Sequence, residues 1–248
     1  MILPTKKTFE EGGDVQFTEE TVNRATQTFS QFMTRVFLMM FVGLAITMGV
    51  AVATSYNADM LNFVIQVMNG GTFWLFLIVY LLLSIGISYM VSHVNVLGAG
   101  ILFVVYAAMT GFMFSTIGLV YDTQSIWQAF LATGLMCGLL AAYGAITKRD
   151  VSKIGPILFI GLVSILVLSV LNSIFFHNPN FSLFITIVGI VVFGFYVVFD
   201  VNQLKRIYAM NLDNESLNAI AIGGALSLYL DFINLFIRLL SLFGRRRD

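Results

Sequence analysis

Charge is what this chain is short of. Of its 248 residues only 10% are charged, with 13 Lys and Arg against 13 Asp and Glu, so the formal net charge is zero. A soluble domain carries about 25% charged residues. A chain with so few cannot cover a large water-facing surface. Net neutrality, and the lack of any basic stripe interleaved with aromatics, excludes a nucleic-acid partner. A single cysteine, Cys137, excludes an intrachain disulfide. It lies in an apolar stretch between Gly134 and Gly138, as a small buried filler rather than a reactive thiol. No CxxC pair, HExxH motif, P-loop, Ser/His pair or metal-ligand cluster is present, so neither an enzyme nor a resident cofactor is expected. The first thirty residues include Glu10, Glu11, Asp14, Glu19 and Glu20, which does not fit a cleavable signal peptide.

What the chain has in abundance is apolar length. It is 58% hydrophobic, with a mean hydropathy of +0.91. Crossing the hydrocarbon takes about 20 mainly apolar residues. Seven segments reach that length: Val36–Ser55, Thr72–Ser92, Leu97–Tyr121, Ser125–Thr147, Pro156–Phe176, Phe181–Phe199 and Leu217–Phe243. The expected fold is an all-α integral membrane protein whose partner is the lipid bilayer. Short connections make consecutive helices antiparallel neighbours. Pro156 suits the first turn of the fifth helix, and Asn178-Pro179-Asn180 reads as a tight turn before the sixth.

Residues 1–34 form a polar N-terminal segment, and residues 35–248 the membrane domain. Within the former, Thr18 to Thr34 places Val22, Ala25, Phe29 and Phe32-Met33 among polar residues. That pattern fits an interfacial amphipathic helix N-capped by Thr18, and equally a tail that folds only near lipid. The basic residues set orientation. Lys6, Lys7, Arg24 and Arg35 precede the first span; Lys148, Arg149 and Lys153 follow the fourth; Lys205 and Arg206 follow the sixth. The connections after spans one, three and five have none, which predicts a cytoplasmic N-terminus. Arg245, Arg246 and Arg247 conflict with this: seven full spans put them outside. Either the seventh segment turns back or stays shallow, or its basic end is tolerated on the far side.

Small residues let membrane helices approach closely. Ala219, Gly223 and Ser227 recur every four residues on the seventh span, and Gly134, Gly138 and Ala142 do so on the fourth. The next step after Ser227 is Asp231, in the middle of an apolar run. A second acid, Asp200, closes the apolar stretch of the sixth span. An ionisable side chain at such depth costs roughly 2.5–3.5 kcal/mol on insertion scales, and such residues face a bundle interior where they pair or line a path. At helical spacing, Ser227, Asp231, Asn234 and Arg238 share one face of the seventh helix, and Tyr196, Asp200 and Gln203 one face of the sixth. Two polar stripes on neighbouring helices hide from lipid by facing each other. Carboxylates so paired resist joint ionisation, share a proton and titrate as a unit, which makes the pair a candidate pH sensor. Deprotonated, the same oxygens could meet a cation. Two carboxylates with Asn234 or Tyr196 supply fewer oxygens than the six to eight that calcium takes, which favours weak, transient binding. The bland alternatives are an Asp231 that pairs with Arg238 or caps a broken helix, and an Asp200 that merely sits at the interface.

The string from Gly224 through Ala225-Leu226-Ser227-Leu228-Tyr229-Leu230-Asp231-Phe232-Ile233-Asn234-Leu235-Phe236, followed by Leu239-Leu240 and a basic end, closely resembles the signature of the Bax inhibitor-1 family, also called the transmembrane Bax inhibitor motif family. Phe199-Asp200 with Asn202-Gln203 resembles its sixth-helix motif. The resemblance implies seven helices, six surrounding a central seventh, and a pH-sensitive calcium leak with a sensor mapping onto Asp200 and Asp231. Calcium is then the transported ion. The short loops resemble those of bacterial members, which implies the plasma membrane. Some bacterial members look instead like regulators of a membrane-bound protease, which is the alternative function. In some members an arginine near the end of the second helix latches one sensor aspartate. Here that region, Ser88 to Asn95, has no arginine; His93, or Arg238, is the candidate replacement, while His177 reads as an ordinary loop residue. Intramembrane aspartyl proteases also carry two aspartates, but their Tyr-Asp and Gly-x-Gly-Asp motifs are not matched by Phe199-Asp200 and Tyr229-Leu230-Asp231.

Overall fold

A computed structural model describes residues 28–210 and 212–247. Eight helices follow in chain order: α1 (Phe29–Ser55), α2 (Ala58–Asn69), α3 (Thr72–Ser92), α4 (Val96–Phe114), α5 (Thr123–Ile146), α6 (Gly155–Leu171), α7 (Pro179–Tyr208) and α8 (Asn214–Phe243). Seven of the stretches are long and apolar enough to cross a membrane, α2 being the short exception. A helical turn, Ile117–Val120, extends α4; a 3₁₀ turn, Ser152–Ile154, leads into α6; a π turn, Asn172–Phe176, follows it.

The breaks between spans are chemical. Thr28 opens α1 with a reciprocal cap: its hydroxyl accepts from the Gln31 amide at 3.3 Å and its own amide donates to Gln31 Oε1 at 2.9 Å. Asn95, Asp122 and Asp213 each accept from an amide three residues on, which satisfies one orphan donor of the helix that follows. The Asp122 carboxyl sits below the usual carboxylate range, chiefly because it accepts from the Ser125 amide. Pro156 lies in the first turn of α6, and Asn178-Pro179 caps and opens α7, as expected.

The helix α8 is the centre of the bundle. It touches α7, α1, α5, α4 and α3, while α6 packs mainly on the outside of α7. Tyr229, Leu235, Ala225 and Ala219 on α8 have no exposed surface. The outer helices present apolar stripes outward, as Leu131, Leu135 and Leu139 do on α5.

Three readings of the sequence need correction. The spans run further than their apolar cores: α1 starts at Phe29 and α7 continues to Tyr208. Asp200 is therefore inside a helix, over two turns from its end, because hydropathy stops at the first acid whereas the backbone hydrogen bonds do not. Second, the first connection contains α2, whose Val64 and Val67 are buried against its neighbours. Third, Gly134, Gly138 and Ala142 face outward; the buried stripe of α5 is Thr133, Cys137, Ala141 and Gly144, one residue away. Of the alternatives left open for the C-terminus, a turn back is not what the structure has. Arg246 pairs antiparallel with Tyr121, the Arg247 amide donates to Val120 O at 2.9 Å, and the Asp122 amide donates to Arg245 O at 3.2 Å. The Arg247 guanidinium donates to Gly118 O at 2.8 Å. The basic end thus lies beside the connection after the third span. Of the interfacial helix expected at Thr18–Thr34, residues 29–34 are the opening turns of α1, and Thr18 lies outside the described residues.

Two tests follow. A Cβ on Gly144 would lie 2.8 Å from Val198 O and 3.2 Å from Val198 Cα, both backbone atoms, whereas Gly138 has nothing within 4 Å. Gly144→Ala should cost about 1–3 kcal/mol, the range for overpacking, and lower the thermal midpoint in detergent, while Gly138→Ala leaves it level or higher. Tyr121→Cys together with Arg246→Cys should form a disulfide on mild oxidation; a pair that stays reduced while both thiols are accessible counts against the C-terminal docking.

Candidate functional site

Asp200 on α7 and Asp231 on α8 come together. Their carboxyls lie within direct interaction range of each other, and the Ser227 hydroxyl reaches the Asp200 carboxyl. Asp231 is 5% exposed, and its Oδ2 is buried with no hydrogen-bond partner. The Tyr196 phenol is in electrostatic reach of both acids. Cys137, across from them on α5, lies near Asp231. The site is therefore walled by three helices, α5, α7 and α8.

The other expected members go elsewhere. Gln203 is exposed. Asn234 turns back on its own helix, donating to Leu230 O at 2.8 Å. Arg238 donates to Ile185 O at 3.3 Å and lies 5.7 Å over the Phe193 ring, so it makes no pair with Asp231. His93 is exposed at the C-cap of α3; its ring lies tilted against Tyr89, centroids 4.1 Å apart, and Nδ1 meets Tyr89 O at 2.9 Å. Among the described residues, no guanidinium or ammonium is paired with either carboxyl. Nor does any cluster of three or more His, Cys, Asp or Glu that could hold a metal ion occur among them; the polar atoms gathered here are two carboxyls, a hydroxyl and a phenol.

What the sequence reading missed holds this site in place. Asn202, 4% exposed, donates to Gly144 O at 3.4 Å and accepts from Arg206 Nε at 3.2 Å. Lys205 Nζ donates to Ala145 O at 2.7 Å and Thr147 O at 3.2 Å. Together they satisfy the orphan carbonyls at the C-terminus of α5, where a cation is also favoured by the helix dipole. Arg206 also pairs with Asp150. Hydrogen bonds from Ser152, with Arg206 beside it, hold the Asp150 carboxyl well below the usual range. Its contribution is present above the ordinary aspartate range and lost only as pH falls through the depressed value. The i, i+4 spacing of Asn202 and Arg206 was the available signal. On the opposite side of α8, the Tyr229 hydroxyl meets Thr47 Oγ1 at 2.7 Å, and Tyr80 meets Thr110 at 3.0 Å, which ties α1 to α8 and α3 to α4.

A family model described as "Inhibitor of apoptosis-promoting Bax1" matches residues 29–248. The chain belongs to the Bax inhibitor-1 family. "Inner membrane protein YbhL" of Escherichia coli K12 is 35% identical over 219 residues, covering 87% of this chain and 92% of the relative. An uncharacterised protein of Borreliella burgdorferi is 33% identical over 221 residues, covering 88% and 94%. A Rickettsia prowazekii protein, RP147, is 30% identical over 234 residues, covering 92% and 97%. The match thus takes in all seven spans, and this member of the family is an integral membrane protein.

Replacing Asn202 with Leu strands Gly144 O at the end of α5 and removes the Arg206 acceptor. A buried acceptor left unmatched costs about 1–3 kcal/mol. Asn202→Leu should therefore lower the thermal midpoint, whereas Gln203→Leu, at an exposed position, leaves it close to wild type.

Proposed function

We propose that this Bax inhibitor-1 family protein is a pH-sensitive cation leak, with calcium as the transported ion and the Asp200–Asp231 pair as the gate. The observation that carries the reading is the meeting of two carboxyls from adjoining central helices, with Asp231 Oδ2 buried and lacking any donor. Two ionised carboxylates in that position repel, and hydrocarbon offers neither one a counter-ion. A shared proton relieves both problems: it supplies the missing donor and removes the repulsion. Once that proton leaves, the pair must separate, hydrate or accept a cation. Each of these changes the packing of α7 against α8, so flux becomes tied to proton activity.

Calcium fits this donor set as cargo rather than as a bound cofactor. The carboxylates, Ser227 and Tyr196 fall short of six to eight oxygens, so water completes the shell and residence is brief. The same reading places the protein in the bacterial plasma membrane with its N-terminus in the cytoplasm. Support for that comes from Lys148, Arg149, Lys153, Lys205 and Arg206 on one face, and from the inner-membrane location in the YbhL name.

Purified full-length protein in liposomes loaded with a calcium indicator should pass calcium at a rate that changes several-fold across a pH series. Asp231→Asn keeps the shape and removes the titrating group, so its flux should stay at one level throughout, and Asp200→Asn should behave alike. A pH response unchanged in both variants would overturn the gate.

A further inference from the structure

The interface between α7 and α8 carries a second polar centre, remote from the aspartates. Arg238 is seven residues beyond Asp231, about 10 Å along the helix axis. Its guanidinium lies against Gly189, where any side chain would collide with it. One contact, the long bond to Ile185 O, and the Phe193 ring are what the protein offers it. Arg238 Nε is buried and has no partner. A guanidinium keeps its charge, and this one is half-buried with no anion beside it among the described residues.

Beside it is a cavity of about 390 Å³ lined by Ser169, Asn172, Ser173, His177, Ser182 and Thr186, with Ile185 and Arg238. No acid lines it. Asn172 is committed to the Asn178 backbone, and Thr186 donates to Ser182 O. Ser182 and Thr186 belong to the first two turns of α7, whose dipole directs its positive end this way. A fixed fork of N–H donors, hydroxyls around it and no competing carboxylate form a site complementary to an oxyanion.

We propose that this cavity binds a phosphate group, with Arg238 as its charged anchor and the serine hydroxyls completing the contacts. The chemistry is shared by a phospholipid headgroup, arriving from the bilayer where α6 ends and α7 begins, and by free phosphate from water. The cavity is larger than its charged anchor requires, which leaves room for the remainder of a headgroup.

The test uses full-length protein stripped of lipid in detergent. One arm titrates inorganic phosphate at constant ionic strength against chloride. The other adds phosphatidylglycerol against diacylglycerol, which lacks the phosphate. The readout is the thermal midpoint. Wild type should be stabilised in at least one arm: by phosphate alone if the ligand is soluble, by phosphatidylglycerol alone if it is a lipid. Arg238→Gln should weaken the apparent affinity by about tenfold or more, the worth of a charge-assisted hydrogen bond. Should that variant fail to fold, Ser173→Ala with Ser182→Ala, both at exposed positions, should shift the titration to higher ligand concentration. The proposal is overturned if neither ligand stabilises wild type beyond its control, or if the response is the same in the folded variants.

Discussion

Hydrocarbon gives a polar side chain nothing to bond to, and this constraint arranges the bundle. The helix α8 carries Ser227, Tyr229, Asp231, Asn234 and Arg238 through the membrane, and such a helix cannot stand at the lipid face. Enclosing it between α1, α3, α4, α5 and α7 surrounds these groups with protein rather than lipid. Tyr229 finds Thr47, Asn234 finds its own backbone, and Asp231 finds Asp200. The central place of the seventh span is thus a consequence of its polarity, while α6, whose only polar side chains are Ser164 and Ser169, lies at the periphery.

The same constraint explains how much was legible. Span number followed from apolar length, since each crossing needs about 20 residues. Span ends did not, because a helix persists past its last apolar residue for as long as its backbone bonds are made, as α7 does from Asp200 to Tyr208. The amphipathic α2 is too short to register as a span, and its Asn62 and Gln66 disguise the buried Val64. Asp200 and Asp231 were legible because their cost in lipid demands a reason. Asn202 was not, because a residue next to Gln203 differs from it by about 100° of helix rotation, and only the neighbouring helix decides which of the two is buried. The stripe on α5 failed likewise: Gly134 and Gly138 have a small-residue spacing, but so do the buried Cys137 and Ala141.

Where the two carboxyls sit is set from outside the pair. On α7, Asp200 is two residues from Asn202 and five from Lys205, and both bind the carbonyl end of α5. A helix is stiff over so short a stretch, so α5 fixes the height and rotation of Asp200. On α8, Tyr229 is two residues from Asp231 and nearly opposite it around the axis; its bond to Thr47 anchors that side of the helix to α1. Each acid is therefore held by a hydrogen bond on the far side of its own helix. Repulsion between them cannot be relieved by a small drift of either backbone, because such a drift breaks buried bonds worth about 1 kcal/mol or more apiece. In the gate proposed above, the strain of a lost proton would therefore stay concentrated at the α7–α8 interface, to be released by rearrangement of that interface or by a cation entering it.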